Sequence, residues 1–516
     1  MLLIPRRFWK GLQLSNRLAA AKFRGRELRD PSACAGADKP SRNSLASSEP
    51  KKHRTSNLKF DLPHTFSPDF RLDTAEKRDK AAYSVRHSPS SKILTAQPKA
   101  GSLEFFFSVQ KKRQPSHNPT MGNSAPIITS KQSLILDLPP SCIEFCSSHP
   151  SYFVVGTYNL VKEEETTTEL SENADVAVLK KPQNRNGSLI VYQLVDGLVQ
   201  QVQTLLHPAA ILDLHFCPSA GRQDILAVVS STGTLSIFRL NPVADASEPL
   251  KHLATSRISD VPEGVLFLSG VWDPNNAASI ALTTSSGEVR IMRLGDSWEI
   301  IDEEDSEAII THSLEAWTVA FSPPDQATPF ILYSGGDDSA LRYTSCSRNE
   351  DAGIEALYTP LNVPGHGAGV TAILPIPLTL ADNSRLLVTG SYDDTIRVFS
   401  VQPPHETYGM RKVKCLAEEN LGGGVWRLKL IDMTSTADRC RLRVLASCMH
   451  AGARVVELEG PLSGEAWAVT ALAQFEEHKS MNYGSDFVPA PGSNRLECVS
   501  TSFYDKLLCL WEVELA

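Results

Sequence analysis

Residues 386–400 read LLVTGSYDDTIRVFS: an apolar run, a polar turn at Tyr392-Asp393-Asp394, then Ile396 and Val398 with Arg397 between them. An apolar run closed by a tight polar turn and followed by period-two alternation predicts a β-hairpin. ILYSGGDDSALRYTS, ending at Ser345, and LECVSTSFYDKLLCLWEV, ending at Val513, have the same form. From residue 131 onward the chain alternates short apolar strands with Gly, Pro, Asn and Asp turns, and long helical periodicity is missing.

Aligned on its last strand, the recurring unit ends at Leu194, Leu240, Leu294, Ser345, Ser400, Leu458 and Val513, at intervals of 46 to 58 residues. A propeller blade of four strands takes roughly 40–45 residues, and extra length goes into surface loops. Seven such units predict an all-β, seven-bladed propeller over 131–516. Each blade buries its faces against its neighbours, so the ring must close to leave no unpaired edge. SLILDLP (133–139) stands alone before blade one and is expected to close the circle as the outer strand of blade seven.

These units resemble the WD-repeat family, whose pattern places a His before the first strand, an Asp in the hairpin turn and a Trp late in the third strand. The resemblance implies that His312 or His366 supplies the His, Asp338, Asp393 and Asp505 the turn carboxylate, and Trp511 the Trp. Such a set reads as a structural brace, an Asp accepting hydrogen bonds from the His and from turn amides. Phe399 and Tyr343 stand in for Trp, and blades one to three carry no clear Asp. Specificity in so degenerate a propeller is expected in its surface loops.

Net charge is −8, but the average hides an asymmetry. Residues 1–120 carry +14 and the remainder −22. The leader is rich in Ser, Pro, Lys and Arg and reads as disordered and dispensable for chemistry. Its basic, loosely amphipathic start admits a mitochondrial transit peptide as an alternative to a cytoplasmic location. Met121 would be a natural start for the folded part, and Pro126 weighs against a myristoylation signal there. The acidic body argues against nucleic acid as the main partner, because phosphate binding needs a positive field. Ten scattered cysteines without a CxxC pair fit a reducing compartment rather than a disulfide scaffold. No apolar run reaches the roughly 18 residues that cross a bilayer.

Two features mark a site. In ASCMHAGARVVEL (446–458), His450 stands where the other hairpins carry Asp. Trp317 in HSLEAWTVAF and Trp426 in LGGGVWRLKL open the inner strands of two blades, and are expected near one mouth of the axial channel. Gly422, Gly423 and Gly424 allow close backbone approach there.

EAWTVAF, YSGGDDSALR, TGSYDDTIRVF, GGGVWRLK, ASCMHAGARVVEL, HKSMNYGSDF and STSFYDKLLCLWE together resemble the WD-repeat diphthine methylesterase family of the diphthamide pathway. The match of order and spacing runs from blade four to the C-terminus; earlier blades match only in outline. The resemblance implies removal of a methyl ester from diphthine, a modified histidine on translation elongation factor 2, giving diphthine and methanol. It implies a protein substrate; no cofactor, metal, membrane or nucleic-acid partner is expected, and the protein is expected to be a monomer.

Ester hydrolysis needs an activated nucleophile, a base, and donors for the tetrahedral oxyanion. The chain contains no G-x-S-x-G elbow and no HExxH motif, so its chemistry must be built on propeller loops. His450 is the candidate base and His478 the second choice. Cys448 is a candidate nucleophile, against a bland role as a small core residue. His450 could equally be a turn residue, and His478, His312 and His366 fit the brace better than catalysis. Asp337 and Tyr504 are expected to project toward the face of Met449, and Asp486 could orient a His. Diphthine carries a trimethylammonium group, which aromatic faces bind at about 0.5–2 kcal/mol per contact. Trp317, Trp426 and Tyr504, with Glu315 and Asp337, would form such a cage, unless the indoles merely pack between blades. The competing function is a non-catalytic scaffold that recruits proteins through one propeller face.

Overall fold

The computed structural model describes residues 125–515, apart from 162–183, 302–306, 325–328, 350–352, 403–412, 491 and 493. The expected basic leader lies outside the described residues. Seven antiparallel sheets succeed one another along the chain, and no helix occurs among the described residues.

The inner strands are Pro140–Phe145, Ile211–Phe216, Phe267–Trp272, Ala316–Phe321, Val370–Thr379, Arg427–Ser435 and Gly484–Pro489. Each packs on the next, and the seventh returns against the first, which closes the ring. Second strands such as Ile225–Ser230 and Ser279–Thr284 are buried at every residue. Sheets covered on both faces need apolar residues on both faces, so these strands read as continuous apolar runs. Between blades five and six, Val388, Ile396 and Val398 pack with Leu442, Val444 and Val456. Between blades six and seven, Phe475 stacks on Trp511 at 5.2 Å.

The closing strand is Ser130–Ile135, antiparallel to Leu507–Glu514 of blade seven, and begins and ends earlier than the expected 133–139. Lys506 anchors this end: the Leu136 amide donates to its carbonyl at 2.8 Å, and its Nζ donates to the Asp137 carbonyl at 2.7 Å. Pro139 and Pro140 then turn the chain into the inner strand of blade one. A pairing absent from the sequence pattern adds Ile127–Ile128, parallel, to the outer edge of blade six. The N-terminal segment therefore ties two blades.

Candidate functional site

Ser141, Leu212, Leu268, Trp317 and Thr371 are the unpaired residues of β-bulges that open the inner strands of blades one to five. Trp426 and Tyr483 hold the matching place just before the inner strands of blades six and seven. A bulge re-aims the side chain it carries, and these seven positions share one mouth of the channel. Trp317 and Trp426 meet there across blade five, with ring centroids 5.8 Å apart. Tyr392, from the blade-five turn, lies 6.3 Å from Trp317 and 5.7 Å from Trp426. Tyr483 lies 4.9 Å from Trp426. Leu266, Leu268 and Leu212 complete the apolar surround.

Acidic groups edge this cluster. Trp317 Nε1 donates to Asp337 Oδ1 at 3.1 Å, and the Asp337 amide donates to the Glu315 carbonyl at 2.8 Å. The Tyr392 phenol is pushed well above its ordinary value, by burial first and then by the neighbouring Tyr483, Asp337 and Glu315. The acidic edge of this cluster thus disfavours added negative charge.

Tyr504 does not join the indoles as the sequence suggested. The Phe503 amide donates to the Met481 carbonyl as Tyr392 does to Gly369 and Asp337 to Glu315. Phe503 therefore occupies the equivalent turn position, and Tyr504 is an extra residue, 49% exposed, against the Phe503 ring at 5.0 Å.

The His and Asp sets lie behind the mouth. His312 Nδ1 is 2.9 Å from Asp338 Oδ1, its Nε2 is 2.9 Å from Ser334 Oγ, and the Ser313 amide donates to Asp338 Oδ2. In blade five, His366 Nε2 is 2.9 Å from Thr389 Oγ1, and Asp393 accepts from the Gly367 amide. In blade seven, His478 Nε2 meets Ser500 Oγ at 2.8 Å, Trp511 Nε1 donates to the same hydroxyl, and Asp505 accepts from the Lys479 amide. Burial pushes both His366 and His478 down to about 4, so they are neutral at pH 7. His478, ranked as a candidate base, is instead a buried ring against Phe475 in the blade-seven core.

Blade six is built differently. Leu421 stands where the others carry His, and Gly422 where they carry Ser313, Gly367 or Lys479. His450 does stand in the Asp position, but it is exposed on the turn Met449–Gly452 and has no histidine opposite to brace. Gly423 runs against the Cys448 carbonyl, leaving no room for a Cβ, and Gly424 packs against the Met449 side chain. This packing holds the His450 turn at the same end of the propeller as the two indoles.

Cys448 is not placed as a nucleophile. Its thiol is fully buried in the blade-six core with Leu421 and Val425, and burial pushes it up to about 12. A protonated, enclosed thiol cannot attack an ester. Asp486 orients no histidine; it accepts from Lys429 Nζ at 2.5 Å and from the Phe145 amide at 2.7 Å.

Below the aromatic layer lies a polar network that the repeat pattern conceals. Asp213 accepts from Ser269 Oγ at 2.7 Å and Arg427 Nη2 at 2.7 Å, with His215 Nε2 at 3.4 Å. His215 Nδ1 is 2.7 Å from Glu144, and Lys429 reaches both Asp486 and Glu144. Burial opposes the charge on His215, but Asp213 and Glu144 outweigh it and push the imidazole up to about 10. Lys429 is raised in the same way by Asp486 and Glu144. The signal for this network was three inner strands, CIEF, ILDLHF and WRLKL, that place charged residues at alternate positions in otherwise apolar runs. Among the described residues, no group of His, Cys, Asp and Glu is arranged to hold a metal ion.

The description "WD domain, G-beta repeat" matches residues 358–400, the blade-five region. A diphthine methyltransferase of Schizosaccharomyces pombe is 30% identical over 387 residues, covering 75% of this chain and 98% of the relative. A diphthine methyltransferase of Homo sapiens is 26% identical over 378 residues, covering 69% of this chain and 74% of the relative.

Proposed function

This chain belongs to the WD-repeat family of its diphthine methyltransferase relatives, and from that premise we propose that it hydrolyses the methyl ester of diphthine on translation elongation factor 2. The observation that carries this reading is the aromatic cluster of Trp317, Tyr392, Trp426 and Tyr483, edged by Asp337 and Glu315. A quaternary ammonium sheds its weakly held water easily and gains from several ring faces at once. An acidic body also draws in a basic protein surface.

In the proposed reaction a water oxygen attacks the ester carbonyl carbon, and the bond from that carbon to the methoxy oxygen breaks. His450 takes the proton from water and returns it to the departing methoxide, which leaves as methanol. Its exposure on the turn beside the mouth suits contact with a side chain presented by a large protein. Trp317 and Trp426 would hold the ammonium end, and Tyr392 and Tyr483 would take the part first given to Tyr504.

The names of the relatives describe methyl transfer, so the direction of the reaction is what the experiment must separate. Incubating the purified protein with methyl-esterified elongation factor 2 should remove one methylene unit of mass and release methanol. A gain of that mass in the presence of a methyl sulfonium donor would make the protein a transferase. No change in either direction, with the protein folded and bound to its partner, would leave a scaffold.

A further inference from the structure

Blades two to six line a partly open axial cavity of about 550 Å³, below the aromatic mouth and lined by none of its rings. Its walls are apolar, with Val319, Phe321 and Ile373 among them, and its polar end is formed by Arg427, His215 and Ser269. That volume falls within the range of roughly 300–1,000 Å³ typical of small-molecule sites.

The polar end is asymmetric in a way that selects a ligand. The carboxylates sit behind and the cations in front: the Asp213 and Glu144 side chains are 2% and 16% exposed, Arg427 and His215 23% and 33%. Asp213 is fully used, accepting from Ser269, Arg427 and the Leu214 amide. His215 has a carboxylate at each ring nitrogen. Arg427 differs. Only its Nη2 is bonded, to Asp213, and among the described residues Nη1 and Nε have no hydrogen-bond acceptor. Asp213 therefore engages one Nη2 hydrogen, and the second Nη2 hydrogen, paired with Nε or with Nη1, leaves a two-donor edge on a residue that lines the cavity.

We propose that the axial cavity is a second ligand site, separate from the aromatic mouth, that takes a monocarboxylate with an apolar body, gripped by Arg427. A planar donor fork matches a carboxylate. The apolar walls match the body of the ligand. Arg427, His215 and Lys429 already face Asp213, Glu144 and Asp486, so one added negative charge is tolerated better than the two of a phosphate.

The test is calorimetric titration of the full chain with 3-phenylpropionate and with its uncharged amide. The acid should bind at least about tenfold more tightly than the amide, as expected for a charge-assisted hydrogen bond. Arg427→Met should bring the acid down to the level of the amide. Ile373→Trp, which fills the cavity without touching the ion network, should abolish binding and decides the matter if Arg427→Met fails to fold. Choline, a probe for the mouth, should not compete. Equal binding of acid and amide, no binding at millimolar acid, displacement by choline, or full binding to Ile373→Trp would each overturn the proposal. None of these outcomes depends on whether the mouth carries out ester hydrolysis.

Discussion

Trp317 donates its indole N–H to Asp337 at 3.1 Å, which joins the bulge opening the inner strand of blade four to the turn that follows its second strand. The bond fixes the ring plane and places a carboxylate at its edge. Asp337→Asn keeps the acceptor and the shape but removes the charge. It should raise the KM for the methylated factor about three- to tenfold, the scale of one cation contact. The thermal midpoint should stay nearly constant. A fall in midpoint with unchanged KM would assign the pair to folding alone. Trp426→Leu should likewise weaken substrate binding more than stability.

His450→Ala should lower turnover by at least about 100-fold, the usual worth of a general base. The propeller should stay folded, because the side chain is exposed. By contrast, His312→Ala removes a fully buried ring bonded at both nitrogens and should cost about 2–3 kcal/mol. Unfolding of the His450 variant, measured by urea titration beside His312→Ala, would make it structural too.

Cys448→Ala should leave turnover intact and destabilise the protein by about 1–2 kcal/mol, because it empties a small space in the blade-six core. Loss of activity in a folded Cys448→Ala protein would restore the thiol to the reaction.

Stability should be greatest near neutral pH and fall on both sides. His366 and His478 have folded values near 4, below the ordinary 6.5. Between pH 6.5 and 4 the unfolded chain binds protons that the folded chain refuses, so stability is lost as pH falls through that window. Each costs on the order of 3 kcal/mol across that window. His215 runs the other way. Its folded value is raised to about 10, so its contribution is complete below 6.5 and drains away as pH climbs toward 10. Urea midpoints across this range check both limbs. His478→Gln should flatten the acid limb and His215→Gln the alkaline one; unchanged slopes would contradict the assignments.

Much of this molecule is legible along the chain because β-propellers repeat in sequence. Third strands such as TLSIFRL and TIRVFS fall at a steady interval, since each closes the same local hairpin. The blade count follows from that interval. The His and Asp positions of blades four, five and seven follow from hairpin register, and so does the substitution of His450 for Asp in blade six. These are relations between residues close in the chain, or repeated with a period, and local turn chemistry sets them.

Three-dimensional closure decided the rest. Cys448 and His450 are two residues apart, yet one faces the core and the other solvent, because the blade-six turn twists between them at Met449, whose φ is +44°. Tyr504 was expected beside the indoles, but one inserted residue in its turn gave that place to Phe503. Arg427 and Asp213 stand 214 positions apart and meet only across the axis. A charge in an apolar strand reads locally as an irregularity, and its partner becomes visible only when the ring brings blades two and six to the same channel. Repeated hairpin chemistry sets how many blades there are and what each hairpin looks like; which side chains share the channel follows only from closing the circle, because no local pattern encodes it.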